Sequence, residues 1–177
     1  MSEATKERKE LIPSVGSADV LDVCCGGRAM WFDRKDERAI YLDRRSEEHH
    51  LDRGEGKRPQ HLVVEPDYVA DFTELPFADE TFWHVVFDPP HCNRVGASSW
   101  LAKKYGKLVS GWEEMLAGGF EECFRVLRPH GTLIFKWSSV QIPLSRVLDL
   151  TDAKPLYGHR SGANMKTHWV AFIKQNA

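Results

Sequence analysis

The sequence predicts an α/β fold built on a doubly wound, mostly parallel sheet. Three observations predict it. Short apolar runs alternate with longer segments of helical spacing. The runs are continuously apolar rather than alternating, as parallel strands covered on both faces require. Each of the first four runs ends in or next to an acidic residue: Asp22, Asp43, Asp71 and Asp88.

Each element has its own warrant. Residues 18–25 form an apolar run that stops at Gly26–Gly27, which reads as a buried strand and a tight turn. Ala39–Asp43 is the second strand and residues 68–72 the third. Phe82–Phe87 is the fourth, and Pro89–Pro90 stop it because proline cannot donate to a ladder. Residues 112–127 carry Met115, Phe120, Cys123, Phe124 and Leu127 at helical spacing, with Pro129–Gly131 as the stop. Residues 132–137 are a fifth strand. Residues 143–150 suit a helix with Pro143 in its first turn. Residues 167–174 are a last strand, paired with one near Leu156–Tyr157. Residues 1–17 read as a polar lead-in. Residues 44–60 hold almost no apolar side chains and read as a charged, solvated loop. His49 and His50 lie in that loop and are read as surface residues, so no metal is expected.

Composition narrows the function. With 177 residues the chain is expected to be one domain, on a prior of about 150 residues per domain. Hydrophobic residues are 42% and charged residues 28%, which excludes wholesale disorder. No apolar run approaches the ~20 residues that span a bilayer, and the first ten residues hold no apolar signal core. A cytoplasmic protein with no membrane partner is expected. Cys24, Cys25, Cys92 and Cys123 form no CxxC pair and are read as reduced thiols. A formal net charge of −2 shows no whole-chain basic signature.

In doubly wound sheets, ligands bind at the carboxyl ends of the strands. The strand ends suit a nucleoside with a charged tail. Gly26 lets backbone approach a ligand closely. Asp43 can accept both ribose hydroxyls, Asp71 can accept from an adenine amino group, and Phe72 can stack on the ring. Neither GxGxxG nor GxxxxGK[ST] is present, so dinucleotide and P-loop readings lose their main support.

The series VLDVCCGG, YLD, ADFTELPF, VVFDPPH and GFEECFRVLRPHGTLIFKW resembles the class I S-adenosylmethionine-dependent methyltransferases. The segments FDPPH, WLAKKYGKL, LIFKW and THW are similar to small stand-alone members found in phages and prophages. The resemblance implies a Rossmann-like class I methyltransferase fold with an antiparallel last strand, and S-adenosylmethionine as cofactor. Asp22, Cys24, Cys25 and Gly26 would lie under its methionine part, Asp43 would hold the ribose, and Asp71 and Phe72 the adenine. The family's loop usually has glycine at alternate positions after the acid, where this chain has Cys24, Gly26 and Arg28. Trp31 and Phe32 follow and are read as core packing, with a place in the pocket wall as the alternative.

Asp88–Pro89–Pro90–His91 resembles the [DNS]-P-P-[YFW] motif of enzymes that methylate exocyclic or amide nitrogens. The chemistry suits those residue types. An aromatic amine must become more tetrahedral before it attacks a methyl group. A carboxylate at Asp88 and the Pro89 carbonyl can each accept one N–H and so pin the nitrogen. His91 replaces the usual large aromatic and stacks less extensively. Residues 92–111 follow, with Arg94, Lys103, Lys104 and Lys107 around Trp100 and Tyr105, and no acid. A basic segment with interleaved aromatics suits a phosphate backbone and an extruded base. Lys136, at the end of the fifth strand, would line the substrate side.

The expected activity is methyl transfer to an amino nitrogen of a nucleic-acid base, adenine N6 first, in DNA or RNA. A small molecule or protein side chain is the alternative substrate, and a non-catalytic cofactor-binding subunit the alternative role. A chain this short leaves no room beside the core for a target-recognition domain, so a homodimer or a partner subunit is also expected.

Overall fold

A computed structural model describes residues 11–12, 15–51, 60–96 and 99–175. Most of the polar lead-in lies outside the described residues. The strands are β1 (Val20–Asp22), β2 (Ala39–Asp43), β3 (Glu47–Leu51), β4 (Gln60–Val64), β5 (Tyr68–Val69), β6 (Phe82–Phe87), β7 (Leu127–Ser138), β8 (Tyr157–Ser161) and β9 (Thr167–Ile173). The helices are α1 (Trp100–Tyr105), α2 (Trp112–Val126) and α3 (Leu144–Leu148).

Seven strands form one sheet in the order β5-β2-β1-β6-β7-β9-β8. The pairs from β5 to β7 are parallel, and β9 runs antiparallel to both β7 and β8. The chain leaves β1 for β2 on one side and later returns to β6 on the other. That reversal places a switch-point crevice beyond the carboxyl end of β1.

The two faces of β2 explain its unbroken apolar run. Ile40 and Leu42 join the main core, whereas Ala39 and Tyr41 join a smaller one with Cys25 on the opposite face. Trp31 packs edge-on against Tyr41 there, and the Arg28 guanidinium lies 3.7 Å above the same ring. Phe32, expected in the core, is fully exposed.

The main core lies between the sheet and α2. Helix α2 buries Leu116, Phe120, Cys123 and Val126 along one face. Each such side chain contributes roughly 1.5–3 kcal/mol of burial. Phe120 meets Phe87 of β6 at 5.3 Å and Phe135 of β7 at 4.9 Å. Gly119 brings the helix close to the sheet, because a Cβ there would stand 2.7 Å from Phe72 and 2.8 Å from Phe87.

Several expected boundaries change. The first strand is only Val20–Asp22 and the third only Tyr68–Val69, the length over which their backbones pair. The fifth strand begins at Leu127 rather than residue 132. Leu127 pairs with Phe82, His130 N–H donates to the Lys174 carbonyl at 3.0 Å just past β9, and Lys174 N–H donates to the Gly131 carbonyl at 2.9 Å, so the sheet takes in this polar segment. The helix expected over 143–150 is Leu144–Leu148. The charged loop 44–60 is in part ordered: Glu47–Leu51 pairs antiparallel with Gln60–Val64 as a separate two-stranded sheet. Residues 52–59 lie outside the described residues.

Candidate cofactor and substrate cavity

The loop after β1 is organised by a buried carboxylate. Asp22 is fully buried; its Oδ1 accepts from Cys24 N–H at 3.2 Å and its Oδ2 from Trp31 Nε1–H at 2.8 Å. Burial pushes its carboxyl up to about 7, against the opposing effect of those two donors. Burial also raises the Cys24 thiol well above its ordinary range and Cys25 to about 12, so neither is a thiolate at neutral pH.

Asp43, at the end of β2, is 5% exposed and its carboxylate is saturated. Oδ2 accepts from Gly26 N–H at 3.0 Å and from Arg45 Nη2 at 3.3 Å. Oδ1 accepts the backbone N–H of Arg45 at 3.0 Å and its Nε–H at 3.1 Å. Arg45 also donates from Nη1 to the carbonyl of Lys103 in α1 at 2.8 Å. One side chain therefore links the end of β2 to the basic segment.

Asp71 forms a local turn: its Oδ1 accepts from Thr73 N–H and Thr73 Oγ1 at 3.0 and 2.8 Å. Phe72 stands edge-on to Phe87 at 5.2 Å.

Asp88 follows β6 directly. The β6–β7 register pairs Phe87 with Phe135, which puts Lys136 beside Asp88. Lys136 Nζ donates to Asp88 Oδ2 at 2.5 Å, leaving Oδ1 without a hydrogen-bond donor among the described residues. The His91 ring lies 5.4 Å from Tyr105 and 6.2 Å from Trp137, which is itself fully buried. Burial lowers the His91 pKa, so the ring is neutral at pH 7. The Pro–Pro turn carries α1 on its back. Gly106, the C-cap of α1, sits at φ 73°, ψ 178°, and a Cβ there would come within 2.8 Å of Pro90 Cγ.

These strand ends enclose one cavity of about 340 Å³, within the range of small-molecule sites. Cys24, Cys25, Gly26, Asp43 and Phe72 line it from one side, and Asp88, Pro89, Pro90 and His91 from the other. Lys104 and Lys136 line it as well. Asp22 and Asp71 do not; their carboxylates hold the loops on which the lining residues sit. Arg94, Trp100, Lys103 and Lys107 also lie outside the lining. Lys104 Nζ lies 4.8 Å from the Tyr105 ring and 5.9 Å from that of Trp100.

The cavity has walls that the sequence does not announce. Arg45, Tyr105 and Gly106 line it, and so do residues 60–63 of β4. Leu62 would touch a Cβ placed on Gly27 at 3.1 Å. Arg45 meets Lys103 across 58 residues of sequence, and no local pattern encodes that contact.

No family model matches the chain. No curated protein compared with it matches either. Solved structures do. A Pyrococcus horikoshii protein aligns with a TM-score of 0.55 at 15% identity, covering 88% of this chain and 81% of the other. A TehB-like SAM-dependent methyltransferase from Corynebacterium glutamicum aligns at 0.52 and 11% identity, covering 90% and 81%. A SAM-dependent methyltransferase from Leishmania major aligns at 0.50 and 14% identity, covering 92% and 67%. The parallel sheet with its one reversed strand, wound about a crevice at β1, is the Rossmann-like fold of SAM-dependent methyltransferases.

Proposed function

We propose that this chain is an S-adenosylmethionine-dependent methyltransferase acting on an exocyclic amino nitrogen of a nucleic-acid base, adenine N6 first. One observation carries the reading: Asp88–His91 lines the same cavity as Gly26, Asp43 and Phe72. A site for a nucleoside cofactor and a turn suited to holding an amine thus face one space.

The residues present fit the cofactor. The cavity pairs a buried acid for a diol with an aromatic wall for a base, and Gly26 adds no side chain between them. Asp43 can hold the ribose once Arg45 yields its acceptor positions. S-adenosylmethionine, when bound, supplies a sulfonium methyl group. The chain's own residues then bind and orient the nucleophile. Asp88 Oδ1 and the Pro89 carbonyl accept the two amino hydrogens, which directs the nitrogen lone pair away from the base ring. Lys136 holds the other Asp88 oxygen and so fixes the carboxylate's rotation. Positive charge that develops on the nitrogen is met by the carboxylate. The neutral His91 ring offers a flat face for the base at the third side.

Radiolabelled S-adenosylmethionine, offered with duplex DNA, single-stranded DNA, total RNA and a protein extract, tests this. Label enters one nucleic-acid pool, and nucleoside digestion places it on an amino nitrogen. Asp88→Ala abolishes that label while S-adenosylhomocysteine binding changes less than about threefold, since Asp88 is assigned to the nucleophile. Label confined to protein or small molecules would replace the nucleic-acid reading with the alternative substrate class. Unchanged turnover in Asp88→Ala would remove Asp88 from the mechanism.

A further inference from the structure

One face of the β3–β4 hairpin brings Glu48 and His50, expected on a solvated loop over residues 44–60, together with His61 just beyond it. Glu48 and His50 are two residues apart on β3 and so share a face. The antiparallel register sets His61 of β4 directly across from His50. Glu48 Oε1 lies 2.5 Å from His61 Nε2 and 3.2 Å from His50 Nε2. The two imidazoles stack, with centroids 4.4 Å apart and 7° between their planes. One donor atom from each of the three residues lies within 4.8 Å of the other two.

We propose that Glu48, His50 and His61 form a three-ligand site for a first-row transition-metal cation of the zinc class, with water completing the shell. Donor atoms of a tetrahedral site with bonds of about 2.1 Å stand about 3.4 Å apart; Glu48 lies somewhat nearer than that to both imidazole nitrogens, at 2.5 and 3.2 Å. Exposed side chains open to that spacing by small rotations about their own torsions. Two imidazole nitrogens and one carboxylate oxygen suit zinc or cobalt, whereas magnesium and calcium prefer oxygen ligands throughout. Glu48 and His50 stand outside the lining of the cavity whereas His61 belongs to it, so the site borders the cavity, and metal binding reads it apart from methyl transfer.

The site has a structural consequence. A two-stranded sheet on its own is marginal in water. The opposite face of this one carries the buried Leu62 and Val64, and residues 60–63 wall the cavity. A cation bridging β3 and β4 holds that wall together through His61.

Cobalt titrated into the reduced, full-length protein reads the site by its visible d–d absorption. One equivalent binds in the micromolar range, zinc displaces it, and magnesium does not. No thiolate-to-metal charge-transfer band accompanies it, which separates this site from the four free cysteines. His50→Ala and His61→Ala each weaken binding about tenfold or more. Their side chains are 77% and 51% exposed, so the fold persists, as circular dichroism checks. Zinc slows amide exchange in residues 47–51 and 60–64 of the wild type and not of His50→Ala. Unchanged cobalt affinity in both variants, a thiolate band, or no one-equivalent binding below millimolar concentration would overturn the site. Binding without added protection would overturn its role as a strut.

Discussion

Arg45 and the proposed ribose compete for the same oxygens. Three of the four hydrogen bonds on Asp43 come from Arg45, two of them from its guanidinium. A ribose diol can be accepted only when the guanidinium withdraws. Arg45→Ala therefore raises the affinity for adenosine severalfold by removing the competitor. It also destabilises the fold by about 1.5–3 kcal/mol, the usual worth of hydrogen bonds to a poorly solvated charge. Calorimetry with adenosine, which lacks the amino-acid tail, and a urea midpoint read the two effects; weaker adenosine binding would refute the competition. Asp22 gives the second residue-scale prediction. Its carboxyl titrates near 7 in the fold against an ordinary 3.8, so between those values the folded chain keeps a proton that the unfolded chain has lost. The stabilisation is complete below pH 3.8 and disappears as the pH rises to 7, a change of about 4 kcal/mol at most. Asp22→Asn cannot titrate. Urea midpoints at pH 5 and pH 8 show the wild type losing more stability than the variant over that interval; parallel profiles would show that Asp22 is ionised throughout.

At the scale of elements, α1 stands on the Asp–Pro–Pro turn through Gly106. Alanine there meets two separate obstacles, a backbone conformation near φ 73°, ψ 178° and a ring carbon of Pro90 at 2.8 Å. Backbone strain alone costs about 1–3 kcal/mol. Gly106→Ala lowers the melting temperature and shifts α1 off the turn, so turnover falls while S-adenosylhomocysteine still binds. Steady-state kinetics beside calorimetry separates the two; wild-type turnover would show that α1 is not needed for the reaction. The same contacts explain what was legible beforehand. Strand β2 was legible because both its faces are buried and every residue is apolar up to Asp43. Helix α2 was legible from one apolar stripe ending before Pro129. Strand β3 was not, because Glu–Glu–His–His–Leu carries no alternation and is extended only through its partner β4. The first part of β7 was hidden for the same reason, since its pairing with Phe82 decides the backbone. The strand-end acids were visible as a set, but Asp22 and Asp71 turn inward to hold loops, a division of labour fixed by Trp31 and Thr73 rather than by spacing.

For the molecule as a whole, charge limits how a nucleic acid can be held. The chain carries a net charge of −2, so attraction to phosphates has to be local. Residues 92–111 hold Arg94, Lys103, Lys104 and Lys107 and no acid, and they flank the mouth of the cavity through Lys104 and Tyr105. Each phosphate neutralised releases counterions and adds about 0.7–0.9 to the slope of log affinity against log salt. Four cations therefore set a ceiling of roughly 3–4 on that slope. Fluorescence anisotropy with a labelled oligonucleotide between low and moderate salt measures it. Charge reversal at Lys103 and Lys107, which lie outside the cavity lining, lowers the slope by about 1.5–2 and weakens binding alike for all sequences. S-adenosylhomocysteine affinity stays as it was. A slope well above 4, or one that the double reversal leaves in place, would put the nucleic acid on another face. Binding that ignores salt altogether would mean that the substrate carries no phosphate backbone, and the small cavity between Asp43 and Asp88 would then have to hold it entire.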